Sequence, residues 1–174
     1  MKFILSAILL SVLIMFSCTP IYEDSMKVYF SPNGGAEEAI VQALKSAKFE
    51  VLVQAYSLTS EPIIDALIDV ENRGIDVGII LDRRAESEYK VIWPRLKKDS
   101  IYVRIDTQYG LAHNKIMVID SNLVITGSYN YSKGAEIKNR ENLLVIQNHL
   151  LAMEYLNHWY MRDSVSRNPR RKRK

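Results

Sequence analysis

The stretch HNKIMVIDSNLVITGSYNYS, from His113 to Ser132, sets polar side chains among residues that favour β-strands. The runs Ala112–Ile119 and Leu123–Thr126 are rich in Ile, Val and Leu, and the DSN between them is typical of a tight turn. We therefore predict a β-hairpin. Because residues two apart on a strand point to the same side, the side chains of His113 and Lys115 should project together.

A second polar pair follows this hairpin. If the extended backbone continues past Gly127, Ser128 and Asn130 also share one side, and the glycine leaves room for a close approach. Ammonium, hydroxyl and amide groups donate hydrogen bonds to oxyanions, whereas an imidazole can act as a nucleophile or as an acid and base. Together these four side chains could bind a phosphodiester and carry out a displacement at its phosphorus. The sequence has no Walker loop, no HExxH and no acids at metal-ligand spacing, so we expect chemistry without a metal or another cofactor.

The chain before the hairpin alternates strands with helices. Strands are predicted at Lys27–Phe30, Glu50–Tyr56 and Ile75–Leu81. The apolar spacing between these strands predicts two helices, the second capped by Ser60 with Pro62 in its first turn. This β-α-β-α-β order favours parallel strands covered by helices.

Further elements are predicted around the hairpin and after it. These are a polar helix from Ala85 to Lys97, strands at Ile101–Ile105 and Asn142–Gln147, and a closing helix that Asn148 caps. The predicted fold class is therefore α/β, with a mixed, largely parallel sheet flanked by helices.

The composition indicates one globular domain, which we place at residues 27–163. Of the 174 residues, 48% are hydrophobic and 25% are charged. Cys18 is the only cysteine, which excludes an intrachain disulfide and a cysteine-based zinc site. From Asp163 onward the chain carries six basic groups and one acid, so residues 164–174 are predicted to form a basic tail. Such a tail suits nucleic acid and anionic membranes, and a solubilising tail without a partner is the alternative.

The N-terminus predicts export. Phe3 to Phe16 is a 14-residue apolar run relieved by two serines, a length typical of a signal peptide. Cys18 lies where a bacterial lipoprotein would be cleaved and lipidated, and residues 19–26 would form a linker. Ordinary cleavage and an uncleaved anchor are the alternatives. Each of them places the domain outside the cytoplasm, as a periplasmic, envelope-anchored or secreted protein.

The polar residues of the hairpin region also form a recognisable motif. The pattern His113-x-Lys115-x4-Asp120-x6-Gly127-Ser128-x-Asn130 matches the HKD signature of the phospholipase D superfamily. Six identities at fixed spacing arise by chance at about 10⁻⁸ per starting position. The resemblance extends over most of the chain, through VQAYSLTS and KNRENLLVI, and looks most like the short, single-motif bacterial endonucleases of the Nuc type.

The resemblance implies a role for each motif residue that would touch the substrate. His113 would be the nucleophile that forms a phosphohistidine. Lys115 and Asn130 would bind the non-bridging oxygens of the phosphate. Ser128, with Gly127 beside it, would support the phosphate or the histidine.

The remaining signature residues would act on their neighbours. Glu141 matches the acid that hydrogen-bonds the catalytic histidine and fixes its tautomer. Asp120 belongs to the same catalytic signature, but we expect it to brace the loop. Tyr129 and Tyr131 alternate with the phosphate binders and should therefore pack in the core, whereas His158 matches no motif and is expected at the surface or in packing.

In this superfamily the histidine of a second motif would protonate the leaving oxygen. One copy of the motif cannot supply two histidines, so the resemblance implies a homodimer whose two-fold axis passes through one shared active site. The expected substrate is DNA, or RNA, with little sequence preference. A phospholipase D that hydrolyses phospholipid headgroups is one alternative. A non-catalytic envelope protein that binds nucleic acid is another, and the intact set of motif residues argues against it.

Overall fold

The computed structural model describes residues 25–85, 92–96 and 101–169. The strands of this part are β1 (Ser25–Phe30), β2 (Glu50–Ala55), β3 (Asp76–Asp82), β4 (Tyr102–Asp106), β5 (Lys115–Ile119), β6 (Leu123–Gly127) and β7 (Asn142–Gln147). Its helices are α1 (Ala36–Ser46), α2 (Glu61–Asn72), α3 (Lys133–Ile137) and α4 (His149–Ser164). Much of the helix predicted from Ala85 to Lys97 lies outside the described residues. The part of it that is described, residues 92–96, is helical.

The seven strands form one sheet in the order β1-β7-β6-β5-β2-β3-β4. The mixed α/β fold is confirmed, but parallel pairing is confined to β2, β3 and β4. Every other neighbouring pair of described strands is antiparallel. The reason is that the β5–β6 hairpin and β7 insert between β1 and β2, so the first βα unit does not pair with the second.

The predicted hairpin is confirmed, with Met117 opposite Ile125. Asn122 N donates to Ile119 O at 3.1 Å, and the two residues between them have φ values of 53° and 51°. Positive φ at both central residues is the mark of the type I′ turn that matches strand twist. β5 begins at Lys115 rather than at Ala112, so His113 lies just before the strand.

Helices cover the two faces of the sheet. On one face, α1 packs through Ile40 and α2 packs through Leu67, and both side chains are fully buried in the main core. On the other face, Trp159 of α4 packs on Leu52 and donates from Nε1 to the carbonyl oxygen of Val53 at 2.9 Å. Burial of this much apolar surface is the main source of stability, at about 25 cal/mol per Å².

Both ends of the domain differ from the predicted boundaries. Ser25 and Met26, predicted to be linker, belong to β1. At the other end, Arg167 and Asn168, predicted to belong to the basic tail, contact β4: Arg167 pairs with Ile105, and Asn168 accepts from Arg104 at 2.9 Å. Residues 1–24 and 170–174 lie outside the described part. Among the helices described, none is long and apolar enough to span a membrane.

Candidate active site

The polar residues of the motif meet at one edge of the sheet. Ala55, at the carboxyl end of β2, pairs with Lys115 at the amino end of β5. Gly127, at the carboxyl end of β6, pairs with Leu143 near the amino end of β7. The carboxyl ends of β3 and β4 lie at the same edge. Open α/β sheets bind their ligands at this edge.

The side chains of His113 and Lys115 are in contact, as predicted. Lys115 Nζ lies 3.0 Å from His113 Nδ1 and 3.2 Å from Nε2, and it donates to the His113 carbonyl oxygen at 2.7 Å. Because the in-plane directions of the two ring nitrogens diverge, one Nζ cannot lie along both, and the Lys115 nitrogen therefore rests against the ring. The His113 side chain is exposed, so an incoming phosphate can reach it.

Lys115 carries its charge in a buried position. The residue is only 5% exposed, and this burial lowers the pKa of Lys115 below its ordinary value. The carboxylate of Glu141 is close enough to raise that pKa in part. An ammonium that has lost most of its water interacts strongly with an anion, because the low local dielectric screens the attraction weakly.

Ser128 and Glu141 form the second half of the cluster. Ser128 Oγ donates to Glu141 Oε2 at 2.6 Å and accepts from Asn142 N at 3.1 Å. Asn139 Nδ2 donates to the other carboxylate oxygen, Oε1, at 3.1 Å. Within a single chain the Glu141 carboxylate therefore accepts hydrogen bonds from Ser128 and Asn139. The hydrogen bond that we expected it to form with His113 is not among them. The β6–β7 pairing explains this, because it sets Ser128 directly beside the start of β7.

Asn130 lies between two residues that anchor it. Tyr129 and Tyr131 are fully buried, which confirms that they pack in the core. Tyr129 also donates from its hydroxyl to Glu136 Oε2 at 2.8 Å. The Oδ1 atom of Asn130 is buried without a hydrogen-bond partner among the described residues. Buried polar atoms are rarely left unpaired, and a functional role is one of the recognised reasons for an exception.

Gly127 is required by the close approach of β6 and β7. A Cβ at this position would lie 2.3 Å from the carbonyl oxygen of Asn142, and its φ is +144°. The missing side chain therefore leaves room for the backbone of β7. The expectation that Gly127 also lies among the substrate-binding residues stays a prediction.

Asp120 lies outside the site, at the opposite end of β5 from Lys115. Its carboxylate accepts from the backbone N–H groups of Lys48 at 2.9 Å, Phe49 at 2.7 Å and Glu50 at 3.1 Å. The expectation that Asp120 braces a loop agrees with this geometry, whereas its place in the catalytic set does not.

The structure adds Tyr56 to the site, which the motif did not indicate. Its ring centroid lies 4.5 Å from that of His113, at an interplanar angle of 56°, and 5.3 Å from Lys115 Nζ. The aromatic residue at the end of the predicted strand EVLVQAY was the available signal.

Two further groups hold the segment that leads into β5. The buried carboxylate of Asp82 accepts from Ala112 N at 2.7 Å, next to His113. His158 Nε2 lies 3.4 Å from Asn114 Nδ2, so His158 reaches the loop from α4. In the described part of the chain, no cluster of three or more His, Cys, Asp or Glu side chains could hold a metal ion.

An exposed imidazole and a buried ammonium at the edge of a mixed sheet, with a hydroxyl and an amide beside them, define a site for phosphodiester chemistry. Comparisons with known proteins agree. Residues 40–162 match the family model described as "Cardiolipin synthase, PLD-like domain". The proteins named phospholipase D of Rickettsia prowazekii and Rickettsia typhi are 35% and 36% identical to this chain, over 87% and 86% of it and 74% and 73% of their own lengths.

Solved structures show the same relationship. The crystal structure of Nuc from Salmonella typhimurium, a phospholipase D family member, superposes with a TM-score of 0.80 at 36% identity, over 86% of this chain and 100% of Nuc. NucT from Helicobacter pylori superposes with a TM-score of 0.77 at 25% identity, over 84% of this chain and 99% of NucT. The chain belongs to the phospholipase D superfamily, with a Nuc-like fold. It is a phosphodiester hydrolase.

Proposed function

We propose that the protein is a metal-independent endonuclease with little sequence preference, which cleaves DNA, or RNA, through a phosphohistidine in a site shared by two chains. The observation that carries this proposal is the contact between the exposed His113 ring and the buried Lys115 ammonium. It sets a nucleophile beside a fixed positive charge at an open edge of the sheet.

The reaction proceeds in two displacements at phosphorus. A ring nitrogen of His113 attacks, so that an N–P bond forms and the bond from phosphorus to the leaving oxygen breaks. That oxygen takes a proton from His113 of the second copy. Water then attacks phosphorus and gives a proton to the same second imidazole, while the N–P bond breaks. Lys115 and Asn130 donate to the non-bridging oxygens as charge develops on them.

An apolar face that is exposed within the described part of the chain lies beside the site and supports the two-chain arrangement. Met26, Val28 and Phe30 alternate along the edge strand β1 and are 67%, 52% and 62% exposed. The apolar face continues onto β7, because Val28 pairs with Leu144 and Met26 pairs with Ile146. α4 covers the same face only further along the sheet, at β5 and β6. Exposed apolar patches of this kind mark protein interfaces. Phe30 lies at the end of this patch that is nearest to the site.

Exposed cations on both sides of the site support a polyanionic substrate. Arg83 and Arg84 follow β3, and Lys138 and Arg140 precede β7, all at the edge that carries His113. Each of these four side chains is exposed. A nucleic acid backbone presents a phosphate at every step, so contacts on both sides of the cleaved bond strengthen its binding.

A second candidate function is the hydrolysis of phospholipid headgroups. The curated relatives from Rickettsia are named phospholipase D. The segment before His113 also presents Tyr109 and Leu111 to solvent, at 104% and 47% exposure. Exposed apolar side chains beside an active site suit contact with a lipid surface.

The experiment that separates these functions offers plasmid DNA, RNA and phosphatidylcholine vesicles to the mature protein, side by side and with EDTA present. We expect nicking and then degradation of the nucleic acids, and no activity in the variant His113→Asn. Hydrolysis of lipid alone would overturn the nuclease proposal. Loss of all activity in EDTA would overturn the metal-independent mechanism.

A further inference from the structure

We infer that Tyr56 is a positioning residue that holds the His113 imidazole and the Lys115 ammonium in their reactive arrangement. This inference rests on the proposed function, because it gives Tyr56 a part in the same reaction. Tyr56 does not touch the phosphate in this account and acts only through its two neighbours.

The sheet fixes the place of Tyr56. Its predecessor Ala55 pairs with Lys115 across the β2–β5 ladder. The Tyr56 backbone N–H donates to the carbonyl oxygen of Asn114 at 3.1 Å, and Asn114 is the residue between His113 and Lys115. The backbone of Tyr56 is therefore tied to the segment that carries both groups, and its ring has a defined position beside them.

The ring of Tyr56 contacts both functional groups. Its centroid lies 4.5 Å from the His113 ring centroid at a tilt of 56°, within the range that aromatic pairs prefer. Lys115 Nζ lies 5.3 Å from the same centroid, within the distance of a cation–π contact. The Tyr56 ring thus restrains the imidazole and attracts the Lys115 ammonium.

The site needs such a restraint because Glu141 does not supply it within the chain. The Glu141 carboxylate bonds Ser128 and Asn139. Among the described residues, the His113 ring has polar contacts with Lys115 and an aromatic contact with Tyr56. An exposed imidazole without a lateral contact would sample several rotamers, and few of them would aim a nitrogen at phosphorus.

The test compares Tyr56→Phe with Tyr56→Leu. Both variants keep the backbone bond to Asn114, but only phenylalanine keeps the aromatic face. With plasmid DNA and with bis(p-nitrophenyl) phosphate, we expect Tyr56→Phe to retain the wild-type kcat. In Tyr56→Leu we expect kcat to fall about 10- to 100-fold with little change in KM, because misplacing a reacting group lowers the rate of the chemical step. The matched control is Tyr102→Leu, because Tyr102 lies at the amino end of β4, away from the site, and this variant should keep the wild-type kcat.

A second readout needs no turnover. In the resting protein, the NMR signals of the His113 ring should carry a ring-current shift from Tyr56, with His113→Asn identifying those signals. The shift should persist in Tyr56→Phe and vanish in a folded Tyr56→Leu. If the protein cleaves no phosphodiester, the nuclease proposal fails while this measurement still tests the contact. A Tyr56→Leu variant with unchanged His113 signals or wild-type kcat would overturn the inference, as would a Tyr56→Phe variant as impaired as Tyr56→Leu.

Discussion

Lys115 is the residue at which the demands of activity and of stability conflict. Its side chain is 5% exposed, its Nζ bonds the carbonyl oxygen of His113, and burial lowers its pKa. Holding a charged ammonium in such a place costs free energy of folding. The same charge is what the proposed reaction uses to bind the phosphate.

Replacing Lys115 by methionine should therefore stabilise the protein and abolish its activity. We expect the free energy of unfolding at neutral pH to rise by about 1 kcal/mol, as when buried charges are replaced by apolar groups of similar size. Because the folded-state pKa is the lower one, the folded wild type loses its proton first as pH rises. The free energy of unfolding of the wild type should therefore increase as pH rises from that lowered pKa to the ordinary Lys pKa. The difference in this free energy between Lys115→Met and the wild type should narrow over the same range.

Urea unfolding of both proteins at neutral and at alkaline pH measures these quantities. A variant less stable than the wild type at neutral pH, or a gap that widens as pH rises, would contradict the account of Lys115. The cleavage assay, run on the same samples, shows whether activity is lost while the fold is kept.

At the scale of residues, the sequence could predict what lies within one motif. The spacing of His113, Lys115, Ser128 and Asn130 predicted that they share one end of the sheet, which their places at or before the start of β5 and after β6 allow. The neighbours of the motif could not be predicted, since Tyr56 reaches His113 only through the β2–β5 ladder. The bond from Ser128 to Glu141 likewise depends on the pairing of β6 with β7.

At the scale of elements, β5 joins the site to the fold. Lys115 stands at its amino end, and Asp120 follows its carboxyl end. The Asp120 carboxylate accepts from the successive backbone N–H groups of Lys48, Phe49 and Glu50, which lead into β2. The hairpin is thereby fixed to β2, and the site at the other end of the same strand is held in place.

Replacing Asp120 by alanine should reduce stability without removing the catalytic groups. Three backbone donors would lose their acceptor, so we expect a loss of about 2 to 3 kcal/mol in the free energy of unfolding. Asp69→Ala, an exposed acid on α2, is the control and should be nearly neutral. Thermal unfolding measures the stabilities, and kcat measured well below the midpoint should stay near the wild-type value. A variant as stable as the wild type but without activity would place Asp120 in the chemistry.

The elements also show the limits of local patterns. Apolar periodicity predicted the strands, the capped helix α2 and the hairpin, because each depends on residues close together in the chain. It could not predict that β1 would pair with β7 at the edge of the sheet. A βα sequence fixes the direction of its strands, but the partner of each strand depends on which distant surfaces bury the most apolar area.

At the scale of the whole molecule, two features point to a second copy. Each chain carries one HKD motif, whereas the proposed reaction uses two histidines. Within the described part of the chain, the apolar face of β1 and β7 is exposed next to the end of the sheet that bears His113. A site completed by a second chain accounts for both.

The measurement that tests this central claim most directly mixes wild-type chains with His113→Asn chains in varied proportion, after dissociation and reassembly. If both histidines of a shared site are required, activity should follow the square of the wild-type fraction, to about one quarter in an equal mixture. A linear decline, to about one half in the same mixture, would show that each chain works alone and would contradict the shared site.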